Sequence, residues 1–406
     1  MTVPINNSSR SSILLIEFDL SGHRLQYINS AAHAFMEDGY DVVVIAPSTV
    51  SLECVASASC TVRAHSLSEL SCWRSKSKSY RLRKLLRLSG MIRSVGDWLL
   101  MRDIYRELSK SYRLSAVFIP YFDYLVNSMA LFGSPFGLAH VGGIVMNQTW
   151  HLKSVGIKCS KPTIGSHLRK VLFKRAIRDP TIKKLFSLDE ELVECLDCEK
   201  LGHLEESIAE ELHELFSSTG PISEWTRGRM ELEIVAVGVM GRRKNIVNFL
   251  DAAVKARQEY SISVKVKLLG SFHAEYLHEI KKSESYSDLS RLGLIELEDR
   301  KIDLDRMARA LLSADAIWLC YVAHFTSSGI LPIANAANRP VLASDEGLIG
   351  FRTSRDRCGI SCSPRSVQAI TTAMVKLAQR NNQFEYPVPP TERVAFRALS
   401  QFSTGI

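Results

Sequence analysis

The segment EIVAVGVMGRRKNIVNFLDAAVKARQ, residues 233–258, decides how this chain is read. Its apolar start, Glu233–Gly238, is short and ends on glycine, which predicts a buried parallel strand. From Asn245 to Gln258 apolar residues recur at helical spacing, and Asn245 is a suitable helix N-cap. Between the two lie Gly238-Val239-Met240-Gly241-Arg242-Arg243-Lys244, with two glycines and three consecutive cations. Open α/β sheets bind ligands beyond the carboxyl ends of their strands. A loop of this composition, leading into a helix N-terminus, suits a diphosphate. The plain alternative is a solvated basic turn.

The alternation continues outward. Strands are expected at Val264–Gly270, Leu294–Leu297, Ala316–Tyr321, Pro340–Ser344 and Gly359–Cys362. Helices are expected at His273–Ser285, Leu304–Leu312, Gly329–Ala337 and Ser366–Gln379. This pattern predicts an α/β, doubly wound sheet. The other half opens with Ile13–Phe18, a helix Leu25–Met36, and Asp41–Ala46 closed by Pro47, a βαβ unit. Further strands are expected at Ala116–Pro120 and, weakly, at Leu185–Leu188. Arg74–Ser111 and Gly133–Gly165 read as insertions. Gly220-Pro221 marks a linker. The expected domains are therefore 1–222 and 223–406, two Rossmann-like halves facing a central cleft, with the last helix free to pack back on the first domain.

The bulk numbers fit two domains. The chain has 406 residues, 46% hydrophobic and 23% charged, enough for two cores. Its net charge of +8 admits nucleic acid, an anionic membrane or phosphate-bearing substrates as partners. Cations are densest over 74–93, where Arg81, Arg83, Lys84 and Arg87 alternate with leucines; this suits an anionic membrane surface or a solvated helix face. No aromatic-interleaved basic stripe accompanies it, so no nucleic acid is expected. The most apolar stretch, Met129–Met146, holds five Gly or Pro residues and a histidine and is too broken to span a bilayer. The start carries no signal-peptide pattern, so the expectation is a cytoplasmic protein, or one peripheral on the inner face of the membrane. Cys195 and Cys198 form a C-x-x-C without a second pair, and the cysteines read as free thiols.

Two more strand-to-helix loops carry chemistry. Phe325-Thr326-Ser327-Ser328-Gly329-Ile330 follows the strand Ala316–Tyr321. It offers hydroxyls to a phosphate or ribose, Ser327 or Ser328 as a helix cap, and Gly329 for close backbone approach. Asp19-Leu20-Ser21-Gly22-His23-Arg24 follows the first strand. It is a shortened Gly-rich loop, not a dinucleotide fingerprint. His23 either faces the cleft or is a buried structural histidine.

These residues resemble the donor-binding domain of family 4 glycosyltransferases, which are retaining and have the GT-B fold. The resemblance is specific over Ile234–Ser344. A strand-loop pattern ends in Arg243-Lys244-Asn245, and a later run reads Asn338-Arg339-Pro340-Val341-Leu342-Ala343-Ser344-Asp345-Glu346-Gly347. Gly22-His23-Arg24 is also similar to an opening seen in part of the family. The resemblance implies a nucleotide-diphosphate sugar as donor and a glycan or lipid-linked acceptor. Arg243 and Lys244 would hold the diphosphate beside Gly238, with Thr326, Ser327, Ser328 and Gly329 near the phosphates. Asp299 and Arg300 would lie near the nucleobase, and Gly22, His23 and Asp123 on the acceptor side. The chain departs from the family at two carboxylates eight residues apart, replaced here by Phe325 and Ile333, and at the arginine replaced by Val239. A divergent subgroup using hydroxyls and helix amides is implied.

The expected reaction is sugar transfer in polysaccharide or glycoconjugate synthesis, with cations and amides stabilising the leaving diphosphate and no metal or other cofactor required. The alternatives are a catalytically inactive GT-B homologue acting as a binding or partner protein, and a GT-B sugar-nucleotide epimerase.

Overall fold

In the first half, successive strand residues feed two cores. Ile13, Leu15, Val42, Val44, Ala116 and Phe118 line one. Leu14, Ile16, Val43, Ile45, Val117 and Ile119 line the other. Neighbouring side chains of a strand point to opposite faces, so a strand covered on both sides must be apolar throughout. That is why these strands appear in the sequence as unbroken apolar runs.

The computed structural model describes residues 11–20, 24–47, 60–70, 90–159, 165–218, 230–379, 383–404 and 406, without the side chains of 90–93. Among these residues the first half contains β1 (Ser12–Ile16), β2 (Asp41–Ala46), β3 (Val62–Ser66), β4 (Leu114–Ile119), β5 (His140–Val145), β6 (Ile182–Ser187) and β7 (Leu201–His203). They form a parallel sheet of order β3-β2-β1-β4-β5-β6-β7. The second half contains β8 (Glu231–Val237), β9 (Ser263–Gly270), β10 (Ile295–Asp299), β11 (Ala316–Leu319), β12 (Val341–Ser344) and β13 (Gly359–Cys362). Their order is β10-β9-β8-β11-β12-β13, again parallel. These are two Rossmann-like sheets, each flanked by helices.

Two readings from sequence need correcting, and a third lies mostly outside the described residues. Strand β5 lies inside the stretch read as an irregular insertion. Its Gly142 and Gly143 disguise it, yet no larger residue fits: a Cβ on Gly142 would stand 2.7 Å from the Phe402 ring, and one on Gly143 2.5 Å from the Ile119 carbonyl oxygen. The helix expected over His273–Ser285 is two, Ala274–Lys282 and Glu284–Arg291. They break at Ser283, which leaves the helical region and accepts a hydrogen bond from Tyr286 N at 3.3 Å to cap the second. The basic segment 74–93 lies outside the described residues up to 89, and a helix begins at Gly90.

The chain divides into two compact units, Met1–His151 with Pro162–Glu205 and Glu392–Ile406, and Leu152–Lys161 with Glu206–Thr391. The main segment of the second unit runs over Glu206–Thr391, joined by a ten-residue piece, Leu152–Lys161, from within the first half. The piece packs Leu152 and Ile157 against Phe325 and Leu348, and its Lys158 carbonyl accepts from Gly347 N at 2.8 Å. The C-terminal residues Phe396, Leu399 and Phe402 enter the core of the first unit. Among the described residues no helix is long and apolar enough to cross a membrane.

Candidate functional site

β8 and β11 are hydrogen-bonded neighbours, so the loops leaving their carboxyl ends meet. After β8, Arg242–Lys244 form a single 3-10 turn and Asn245 adopts the left-handed conformation, φ 59°. Asn245 is the N-cap by position, but its side chain does not cap. It donates to the carbonyls of Pro364 at 2.7 Å and Cys320 at 3.2 Å. The helix's first amide, Ile246 N, is satisfied by the Tyr276 hydroxyl at 2.7 Å. Trp318 of β11 donates Nε1–H to the Lys244 carbonyl at 2.7 Å and stacks on Phe249 at 4.1 Å. The basic turn is therefore bolted to the sheet, not loose in solvent.

Of the three cations of that turn, Arg242 pairs with Glu279 at 2.9 Å, and the two expected to grip a diphosphate differ. Arg243 is exposed at its tip, 3.3 Å from His324 Nδ1 and 5.7 Å from the centre of the Tyr321 ring. Its backbone carbonyl accepts from Val322 N at 2.9 Å. Lys244 is buried, 4% exposed. Its Nζ donates to the Val237 carbonyl at 3.1 Å and to the Tyr321 hydroxyl, and lies 4.2 Å from the Tyr321 ring centre. Burial first, and the charge of Arg243 second, lower its pKa to about 7. Sequence treated the two as an equivalent phosphate clamp; only Arg243 is presented to solvent.

The second loop answers the first. Tyr321 is fully buried at the end of β11, and its hydroxyl also bonds the Ser328 side chain. Burial raises its pKa above the ordinary tyrosine range. His324 Nε2–H donates to the Ser327 carbonyl at 2.9 Å, which leaves Nδ1 to accept from Arg243. Burial, then Arg243, lowers the His324 pKa to about 4, so the ring is neutral at pH 7. Neither serine caps the following helix. Gly329 holds the N-cap position with φ −58°, ordinary backbone for any residue, and Ser328 is turned to Tyr321. Phe325 and Ile333 are 8% and 4% exposed and belong to apolar clusters.

The remaining expected residues are distributed as follows. Gly238, φ +99°, ends β8. Asp299 ends the edge strand β10 and accepts from Phe272 N at 2.9 Å. The loop of Phe272 in turn bonds that of β8, through Met240 N to the Ser271 carbonyl at 2.8 Å and His273 N to the Met240 carbonyl at 3.0 Å. Arg300 is held by Glu298 at 2.6 Å. Thr326 and Ser327 lie in the β11 loop. Gly22 and His23 lie outside the described residues. Asp123 belongs to the first unit and accepts from Met146 N at 2.7 Å, Gln148 Nε2 at 2.8 Å and Asn147 N at 3.2 Å. With its oxygens so engaged, it braces the loop after β5.

One cluster escaped the sequence reading. Glu17, one residue past β1, is 1% exposed. Its Oε1 accepts from Phe18 N at 2.8 Å, Asp19 N at 3.1 Å and the Tyr124 hydroxyl at 3.3 Å, and lies 3.4 Å from Arg24 Nη1. Its Oε2 is buried without a partner. Arg24 lies 4.1 Å over the Tyr121 ring. Burial outweighs the pull of Arg24 and the donors and raises the Glu17 pKa to about 7. The signal was present: an acid inside an apolar run rarely lacks a purpose.

The two sheet orders, the alternation of strands and helices and the meeting of the β8 and β11 loops describe one architecture. The chain has the GT-B fold. It is similar to sucrose-phosphate synthase from Thermosynechococcus elongatus, with 13% identity, 96% of this chain and 95% of that one covered, and a TM-score of 0.59. It is similar to HepE from Anabaena, solved with UDP and glucose, with 11% identity, coverage of 98% and 100%, and a TM-score of 0.56. It is also similar to the UDP-GlcNAc 2-epimerase of Methanocaldococcus jannaschii, solved with UDP-GlcNAc and UDP, with 11% identity, coverage of 97% and 100%, and a TM-score of 0.54. No family model matches the chain, and no curated protein matches it in sequence. At these identities the likeness is one of fold.

Proposed function

We propose that the protein is a glycosyltransferase that moves a sugar from a nucleotide-diphosphate sugar to a glycan or lipid-linked acceptor with retention, as in the family 4 enzymes it resembles. The observation that carries this reading is the junction of two loops at one sheet edge, Arg243 on His324 and Lys244 on Tyr321. A buried ammonium beside a guanidinium is short of negative charge, and a diphosphate supplies it. Arg243 meets the phosphates from the solvent side. Lys244 regains full proton affinity as their charge arrives, because a nearby anion favours the charged form. Thr326 and Ser327 offer hydroxyls to phosphate or ribose, Gly238 and Gly329 allow close approach, and Asp299 with Arg300 flanks the base. On transfer the sugar C1–O bond to the diphosphate breaks and a bond to the acceptor oxygen forms. The leaving phosphate takes the acceptor's proton, and the cations stabilise its charge. In this reading no metal is needed, and Gly22 and His23 serve the acceptor.

The test is thermal unfolding with UDP-, GDP-, ADP- and dTDP-sugars. A donor at 100 times its Kd stabilises by about 2.7 kcal/mol. One base is expected to do so, and Arg243→Ala to abolish it. If no nucleotide sugar stabilises the protein, this reading is wrong.

A second reading is supported by Phe325 and Ile333. Both sit in apolar clusters where family 4 enzymes carry carboxylates. A binding protein of GT-B shape, without turnover, is consistent with that. Nucleotide-sugar binding with neither hydrolysis nor transfer across donors and acceptors selects it.

A further inference from the structure

The apolar stretch from Met129 and the helix Ser166–Ile177 build a face that sugar transfer does not use. Helices Val126–Phe132 and Ser166–Ile177 pack side by side and bury Val126, Met129, Leu172 and Phe173 in the same core. Their outer faces therefore look to the same side. There Leu131, Phe132, Leu168 and Val171 are 46%, 56%, 52% and 48% exposed, and Leu138, in the loop after the first helix, is 96% exposed.

That loop is built, not slack. Phe136 is fully buried with the Tyr105 ring 5.6 Å away, and Trp98 Nε1 donates to the Gly133 carbonyl at 2.8 Å. Gly133 and Gly137, at φ +73° and +62°, turn the chain where a side chain would strain it. The loop thus holds Leu138 in water while burying its neighbour.

The charge on the two helices has one sign, and one acid, Asp179, borders them beside Gly133. Residues 126–139 carry no charged side chain, and the helix Ser166–Ile177 carries four cations and no acid. Arg169, Lys174, Arg175 and the adjoining Arg178 form no ion pair among the described residues, and Lys170 lies over the Trp150 ring at 5.5 Å.

We propose that this face docks on an anionic lipid bilayer, the apolar side chains entering the headgroup boundary and the cations meeting lipid phosphates. Protruding apolar side chains ringed by unpaired cations suit a deformable anionic surface. The proposal is separate from segment 74–93 and does not rest on the sugar-transfer reading, since its test uses no donor.

The test is co-sedimentation of the full chain with phosphatidylcholine vesicles, with and without about 30% phosphatidylglycerol. Binding only to the anionic vesicles is expected, fading as salt rises from about 0.05 to about 0.5 M and the Debye length shortens. Each cation near such a surface contributes about a five-fold factor, so Arg169→Gln/Lys174→Gln/Arg175→Gln loses about 100-fold in partitioning. Leu138→Ser/Leu168→Ser also abolishes binding. Both variants change solvent-facing side chains, and unchanged thermal unfolding shows they are folded. Absence of wild-type binding overturns the proposal. So does undiminished binding by both variants, which assigns the membrane to other residues. A lipid-free dimer that Leu138→Ser dissociates overturns it in favour of a second copy of the chain.

Discussion

Glu17 and Lys244 stand at matching places in the two sheets and are pushed towards neutral pH from opposite sides. Each follows the first strand of its unit, which lies between the second and fourth. Each touches a tyrosine hydroxyl and has an arginine nearby. Burial raises one to about 7 and lowers the other to about 7. The difference lies in the arginine. Arg24 opposes the charge of Glu17 and eases it, whereas Arg243 repeats the charge of Lys244 and aggravates it. One edge is thus left wanting an anion. The other wants only a hydrogen-bond donor for a single carboxylate oxygen. A shared fold sets the places, and a few side chains at strand ends set what each will hold.

The contrast breaks most visibly at Arg243. If the basic edge binds a leaving diphosphate, Arg243→Ala lowers kcat/KM about 100- to 1,000-fold, roughly 3–4 kcal/mol. A steady-state transfer assay reads this, and the stability of the free protein should hardly move, since the side chain is exposed. Lys244→Met separates function from stability. An ammonium whose affinity falls from 10.5 to about 7 on folding costs stability progressively as pH drops through that window, and fully below it. The variant should therefore gain roughly 2–4 kcal/mol at pH 7 in urea unfolding while losing nucleotide-sugar binding. An unchanged midpoint would mean that the wild-type lysine is solvated.

The acidic edge gives the mirror image. A carboxyl whose affinity rises from 4.5 to about 7 loses stability as pH climbs through that window, and fully above it. Glu17→Gln should gain about 2–3 kcal/mol at pH 8 and nothing below pH 4, seen as a flatter curve of Tm against pH. A parallel displacement of the whole curve would show that Glu17 does not titrate there. The smallest effect is expected at the junction of the two loops. Tyr321→Phe removes the hydroxyl shared by Lys244 and Ser328 and should cost about 1–2 kcal/mol, read by thermal unfolding.

Much of this architecture was legible because both sheets are parallel and covered. Ile13–Ile16 and Ile234–Val237 are apolar without alternation, as two-sided burial requires. The loop after β8 was found by the same logic, since Gly238 to Lys244 combines glycines and cations at a strand end. What escaped was set by distant contacts. Nothing local to Gly142-Gly143 reports that Phe402 presses on the first and Phe122 on the second. Nothing in Arg243-Lys244 states that one side chain turns inward, because that depends on Tyr321, 77 residues away from Lys244. Ser328 was read as a helix cap on proximity alone, and the same tyrosine claims it.

The chain's last fifteen residues, Glu392–Ile406, belong to its first unit. Phe402 lies against Phe35 and Phe118, at 5.8 and 5.5 Å between ring centres, and Ser30 donates to Glu392 at 2.9 Å. On the ribosome, the half that is made first must wait with one face of its core open until Glu392–Phe402 follow the second sheet. A chain cut before Glu392 would leave that face uncovered while its second sheet is already whole, so the returning segment closes late a core that was begun early.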